Sequence, residues 1–208
     1  MLKKSVFVLM LVASLMSATW VQASVKIVEQ SFESAPHQVV QDTTVKVLAA
    51  LESGLDPVKE PEKFVEELSS VLNPVVAFDY IAKGVMGVYA KKASKEQVKQ
   101  FATAFKFGLV NQYGKGMALF SDLEVAVLPP AKPLGDQRRV GVTLEIRGAS
   151  SKNQATFTMA KNRKGQWKMI NLVLNGANFG ESMKNQFAAA VEKNKGDVSK
   201  TITEWGKG

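Results

Sequence analysis

The apolar residues of this 208-residue chain change their spacing once, and that change divides the fold in two. As far as Tyr113 they recur every three or four residues, the period of a helix that presents one oily stripe. From Val140 they alternate with polar residues, the period of a strand with one dry face. Helices first and strands afterwards give an α+β fold: a curved antiparallel sheet of about four strands, with helices over its apolar face. Layers built this way enclose either a solid core or a cavity, and periodicity does not distinguish the two.

Val39, Val40, Thr43, Val47, Leu48 and Leu51 predict a helix beginning near Ser34, with Pro36 tolerated in its first turn and Gly54 as its stop. A polar link through Asp56, Pro57 and Pro61 leads to a shorter helix carrying Phe64, Val65, Leu68, Val71 and Leu72, which Pro74 closes. Phe78, Ile81, Ala82, Val85, Met86 and Tyr89 form a third stripe, and Val98, Phe101, Ala102, Phe105, Leu109 and Tyr113 a fourth. Between the two, Ser94 and Gln97 have the spacing of a capping box. Gly114 and Gly116 predict the end of the helical run.

The clearest strand sets Val140, Val142, Leu144 and Ile146 against Arg139, Gly141, Thr143, Glu145 and Arg147. Ala155, Phe157 and Met159 repeat the alternation, and Trp167 to Leu174 continues it after the turn Asn162-Arg163-Lys164-Gly165. Leu123 to Leu128 predicts a further strand before Pro129-Pro130. A helix through Met183, Phe187, Ala190 and Val191 and a short one near Trp205 close the chain.

The first 23 residues read as an export signal: Lys3 and Lys4, a mostly apolar run from Ser5 to Met16, and small residues flanking Gln22 in Val21-Gln22-Ala23. Cleavage after Ala23 leaves residues 24–208 as a single domain. The apolar run falls short of the roughly 20 residues that span a bilayer, and no later segment approaches that length. The chain has no cysteine, so disulfides, thiolate nucleophiles and Cys-ligated zinc are excluded. Its net charge is +8 and stays positive without the two leader lysines. A basic exported protein meets anionic lipid surfaces or an acidic partner rather than nucleic acid, although solubility alone also accounts for such a charge.

Catalytic groups are sparse. His37, the one histidine, stands at a helix start and reads as an exposed or capping polar residue. Glu62 and Glu66, with Glu67 beside them, read as a solvated acidic helix face, and Asp79 as a helical residue turned to water. Gly114-Lys115-Gly116 lacks the preceding strand and the further glycines of a phosphate loop. Lys161, Arg163, Lys164 and Lys168 gather at a hairpin turn, where they could meet lipid phosphates, an acidic partner or only water. These residues mark no metal, cofactor or catalytic constellation.

Pro74, Phe78, Gly87, Tyr89, Ser94, Glu96, Gln97, Phe101, Phe105, Leu109 and Tyr113, followed near the C-terminus by Trp167, Gly176, Gln186 and Phe187, resemble the signature of the MlaC family. These are periplasmic phospholipid carriers, also described as toluene-tolerance auxiliary components of an ABC transporter. The chain departs from the pattern at Ala77, Ala90, Asn171, Asn178 and Met183-Lys184. The resemblance implies a periplasmic, monomeric, non-enzymatic shuttle without cofactors that serves outer-membrane lipid asymmetry. It would carry phospholipid between an outer-membrane lipoprotein–porin complex and an inner-membrane MCE-domain protein of an ABC transporter. The acyl chains would lie between the sheet's dry face and the helices. Phe78, Ile81, Val85, Met86, Phe105, Leu109, Val142, Leu144, Ile146, Phe157, Met159, Met169 and Phe187 are the expected lining, with Tyr89 and Tyr113 near the rim. Two other readings stay open. An exported cone-shaped α+β enzyme needs a titratable group inside its cavity, and a protein-binding chaperone or inhibitor predicts a solid interior.

Overall fold

The computed structural model describes residues 26–33, 35–56, 58–118 and 123–205, the side chains of 112–118 excepted. The expected leader, residues 1–23, and the side chain of Tyr113 lie outside that set. The elements run β1 (Lys26–Ile27), α1 (Ala35–Leu51), α2 (Pro61–Leu72), α3 (Phe78–Met86), a 3-10 turn (Gly87–Lys91), α4 (Lys95–Ala118), β2 (Glu124–Val127), β3 (Arg139–Arg147), β4 (Lys152–Lys161), β5 (Trp167–Leu174), β6 (Ala177–Asn178), α5 (Phe179–Lys193) and α6 (Val198–Glu204).

Local chemistry accounts for most of the helix ends. Pro61 sits in the first turn of α2, where its missing N–H costs nothing. The capping box before α4 is formed: Gln97 N–H donates to Ser94 Oγ at 3.1 Å and Ser94 N–H to Gln97 Oε1 at 2.8 Å. Past α1, Gly54 takes φ +84, a left-handed backbone that favours glycine. The expected break at Gly114 and Gly116 does not occur, and α4 continues through both to Ala118. Each interior glycine costs only about 1 kcal/mol, less than a well-started helix with a packed face withstands.

The sheet follows chain order, β1-β2-β3-β4-β5-β6, antiparallel except for the β1–β2 pair. It has six strands rather than about four, because β1 and β6 are two residues each, too short to show alternation. Cross-strand partners share a face, so register assigns the faces. Val140 pairs Met159, Val142 pairs Phe157, and Leu144 pairs Ala155 on one side and Val127 on the other. That face is apolar, and Val39 and Val40 of α1 pack on it.

The alternation expected across β5 slips by one residue. A register shift at Thr158/Met159 sets Trp167 opposite Lys161 and Met169 opposite Met159, but Leu172 opposite Phe157 and Leu174 opposite Ala155. A bulge of this kind lets odd-numbered and then even-numbered residues of one strand face the same way. At the end of β5, Asn175 (φ 49) and Gly176 (φ 83) are both left-handed, the geometry that an Asn-Gly dipeptide imposes on a two-residue hairpin. That dipeptide was the available signal for β6.

His37 is not exposed. It is 2 % accessible and its ring lies 5.7 Å from that of Phe32. The segment before α1 folds back over the helix start: Phe32 N–H donates to Gln38 Oε1, Gln41 Nε2 to the Val28 carbonyl, and Gln30 Nε2 to the Val127 carbonyl. A helix-start histidine looks exposed only until a preceding segment covers it. Burial holds its pKa below the ordinary 6.5. The unfolded chain therefore binds a proton at a higher pH than the native one, so this group's contribution to stability falls as pH drops through the histidine range. The thermal midpoint is expected to decline between pH 7 and 5, and His37→Gln should flatten that slope while leaving the carboxylate-driven loss below pH 4.

Candidate functional site

Three apolar clusters form the interior among the described residues. On the sheet, Val40, Val125, Val127, Val140, Val142, Leu144, Ala155 and Met159 are buried. Among the helices, Ala82, Val85 and Met86 of α3 meet Phe101, Ala102 and Phe105 of α4, Met183, Phe187 and Val191 of α5, and Ile202 of α6. A third joins Ala50 of α1, Phe64, Val65 and Leu68 of α2, and Val110 of α4.

The expected lining divides between the first two clusters. Val142, Leu144, Ile146, Phe157, Met159 and Met169 come together on the sheet. Ile81, Val85, Met86, Tyr89, Phe105, Leu109 and Phe187 come together among the helices. Phe78 is half-buried at the start of α3. The helical set closes on an aromatic knot in which Phe187 lies 4.6 Å from Phe101, 5.6 Å from Trp205 and 6.0 Å from Tyr89. Edge-on contacts such as those of Phe101 and Tyr89 with Phe187 are the favoured packing of rings, and Phe101, Phe105 and Phe187 are fully buried.

The sheet cluster is less completely covered. Val142 and Met159 are fully buried, but Ile146, Phe157, Trp167, Met169 and Leu172 on the same face are only partly so. No residue of β5 is fully buried, although six of its eight are apolar. The incomplete cover runs along β4 and β5.

β5 is also where the helical layer is fastened. Ala77 N–H donates to the Met169 carbonyl at 2.9 Å and Met169 N–H to the Val75 carbonyl at 2.8 Å, a parallel bridge from which α3 departs. Lys168 Nζ donates to the Pro74 carbonyl, so this lysine is occupied rather than part of the free cluster at the hairpin. Further along, Asn171 Nδ2 donates to Asn178 Oδ1, which caps α5 by accepting from Glu181 N–H, while Asn171 Oδ1 accepts from Gly180 N–H at 3.1 Å. A Cβ on Gly180 would stand 2.6 Å from Asn171 Oδ1. Asn171 and Asn178, two departures from the family pattern, thus join the start of α5 to the sheet. Gly87 takes φ 54 where α3 tightens into the 3-10 turn, beneath the stem of Lys184.

The titratable candidates fall elsewhere. Asp79, Glu62 and Glu66 are exposed. Glu145 is 4 % accessible but lies on the face opposite Val142 and Leu144, since it pairs with Gln154 and Ala126. Lys152 Nζ at 2.6 Å and the Arg147 guanidinium hold it, and the Lys152 hydrogen bond foremost keeps its pKa below the usual carboxylate value. On that same outer face a cleft of about 520 Å³ is lined by Lys152, Gln154, Thr156, Val173, Asn175 and Gly176. A second cleft, lined by Glu29, Gln30, Ser31, Gln38, Gln41, Asp42 and Val45, lies beside α1. Neither includes an expected lining residue. Among the described residues no helix is long and apolar enough to cross a membrane, and no group of three His, Asp or Glu could hold a metal.

Comparison with known proteins gives concordant results. The family profile described as MlaC protein matches residues 13–207. The toluene tolerance protein ttg2D of Pseudomonas putida is 35 % identical over 172 residues, 82 % of this chain and 79 % of that protein. The intermembrane phospholipid transport system binding protein MlaC of Haemophilus influenzae is 22 % identical over 165 residues, 77 % of either chain. The phospholipid-binding protein of Ralstonia solanacearum, solved in complex with a phospholipid, shares the fold with a TM-score of 0.71 at 23 % identity, over 84 % of this chain and 98 % of that one.

Proposed function

The chain belongs to the MlaC family, and from that premise we propose that it is a periplasmic carrier that binds phospholipid and ferries it between the two membranes. Relatives named for phospholipid transport and binding support the reading, as does a neighbour of the same fold that holds a phospholipid. The observation in this chain that carries it is the incompletely covered apolar face of β4 and β5, where Phe157, Met169 and Leu172 remain partly exposed beside a fully buried core.

A carrier is required because of the solubility of the cargo. Exposing a two-chain lipid with about thirty CH₂ groups costs on the order of 20 kcal/mol at roughly 0.8 kcal/mol each. Exchanging bilayer hydrocarbon for Phe, Leu, Ile and Met side chains removes most of that cost and leaves little net preference, which suits pick-up and release. Methionines such as Met159 and Met169 adapt to varied chain shapes. The acyl chains would enter along the β4–β5 face, between it and the helical layer. The head group would stay in water, and the cargo would pass between an outer-membrane lipoprotein–porin complex and an inner-membrane MCE-domain protein of an ABC transporter.

Carriage fits the chemistry better than turnover. Of the buried ionisable groups described, Glu145 is ion-paired on the opposite face of the sheet and His37 is enclosed beside Phe32 at the start of α1. Native mass spectrometry of protein purified without detergent is expected to show phospholipid bound to the chain. A spectrum containing only the bare polypeptide, together with no lipid in an organic extract of the same sample, overturns the carrier reading.

A further inference from the structure

The two ends of β3 differ in how their charges are matched. At one end Arg147 pairs with Glu124 at 3.0 Å and with Glu145, and Lys152 pairs with Glu145 at 2.6 Å. At the other end the β4–β5 hairpin turn, the start of β3 and the loop before it bring together Lys132, Arg138, Arg139, Lys161, Arg163 and Lys164, all exposed. Register places these segments side by side: Lys161 N–H donates to the Arg138 carbonyl, and Arg139 pairs with Ala160. Asp136 is the one carboxylate in the loop and hairpin. Among the described residues none of these six cations makes a salt bridge.

We propose that this end of the sheet docks on the anionic head groups of a membrane surface. The chemistry of the patch separates that partner from an acidic protein. A specific protein interface is anchored by a projecting aromatic or aliphatic residue; among the described residues the large exposed apolar side chains are Val28, Val45, Val58, Tyr80, Val88, Phe107 and Leu174, none of them at this end, where Trp167 is half-buried under Lys161. What the end offers instead is cations on a rigid turn. Asn162 Oδ1 accepts from Lys164 N–H and Gln166 N–H, and Gly165 takes φ 79. Beneath it lies the half-buried Trp167, with the Lys161 ammonium 5.7 Å over its ring. Lysine and arginine beside tryptophan is the composition of a lipid–water boundary. The proposal concerns how the protein meets a bilayer and does not depend on what its interior holds.

The test is co-sedimentation of the full chain with vesicles of phosphatidylcholine alone, or of phosphatidylcholine with phosphatidylglycerol, at low ionic strength. The wild type is expected to partition onto the anionic vesicles, to ignore the neutral ones, and to be released as salt shortens the Debye length. Each cation near an anionic surface contributes roughly fivefold, so the triple variant Arg138→Gln, Arg163→Gln, Lys164→Gln should lose on the order of a hundredfold in partitioning. The comparison triple Lys91→Gln, Lys92→Gln, Lys95→Gln removes the same charge from the end of the 3-10 turn and the start of α4 and should lose only a few-fold. Circular dichroism confirms that both remain folded. Failure of the wild type to bind phosphatidylglycerol vesicles overturns the proposal and leaves an acidic protein as the partner. Equal losses in the two triples overturn it in favour of net charge.

Discussion

Phe157→Glu is expected to purify folded but without phospholipid. Phe157 stands on the apolar face between Val142 and Leu172, and it is partly exposed while Val142 is not. A carboxylate at that place reaches water at modest cost in the empty protein. Closing acyl chains over it would strand a charge in hydrocarbon, a penalty of several kcal/mol. Lipid occupancy measured by native mass spectrometry should therefore fall at least tenfold, with the far-UV spectrum and thermal midpoint close to those of the wild type. Phe157→Leu, which keeps the surface oily, should retain its cargo. A full lipid load in the glutamate variant would place the chains elsewhere in the molecule.

Phe187→Ala probes the other half of the expected lining and should behave in the opposite way. The ring is 0 % accessible and is packed by Phe101, Tyr89 and Trp205. Its removal leaves a cavity among side chains held by α4, the 3-10 turn and the end of α6, at a cost of about 3–5 kcal/mol. For a domain of this size that lowers the thermal midpoint by roughly 10 °C. Below that midpoint lipid should still bind, because the sheet face is untouched. A variant that keeps its midpoint and loses its lipid would show that the aromatic knot, rather than the sheet, seats the acyl chains. Measured together, the two substitutions tell the packed cluster from the receptive one.

The division between those clusters is what sequence spacing could not supply. Helical periodicity identified Val85, Phe105 and Phe187 as inward-facing, and strand alternation did the same for Val142 and Phe157, and all five are inward. An amphipathic pattern says that a face is buried but not against what. The stripes of α3, α4 and α5 pack on one another as well as meeting β5, with small residues such as Ala82 and Ala102 among the rings of Phe101, Phe105 and Phe187. The Ser94–Gln97 cap was legible because it is local. The burial of His37 and the pairing of Glu145 were not, because they depend on chain segments that arrive from elsewhere. The slip in β5 is a middle case. Its residues read as a strand, but the extra residue that rotates Leu172 onto the face of Met169 is visible only in the register with β4. The Asn-Gly turn before β6 was legible in principle, since that dipeptide has few other uses in a chain reversal.

The two helices α3 and α5, which share the layer over the cargo's expected path, are tied to a single strand, through the Val75–Ala77 bridge at Met169 and the Asn171 latch on Gly180. If both ties hold, α3 and α5 cannot slide along the sheet or lift away from it. The motion those ties would still allow is a swing about the long axis of β5, as a door leaf turns on its pin. Admitting a fatty chain would then widen one side of the molecule without severing a rung of the β-ladder, and the strand that bears the oiliest uncovered residues would also be the axle.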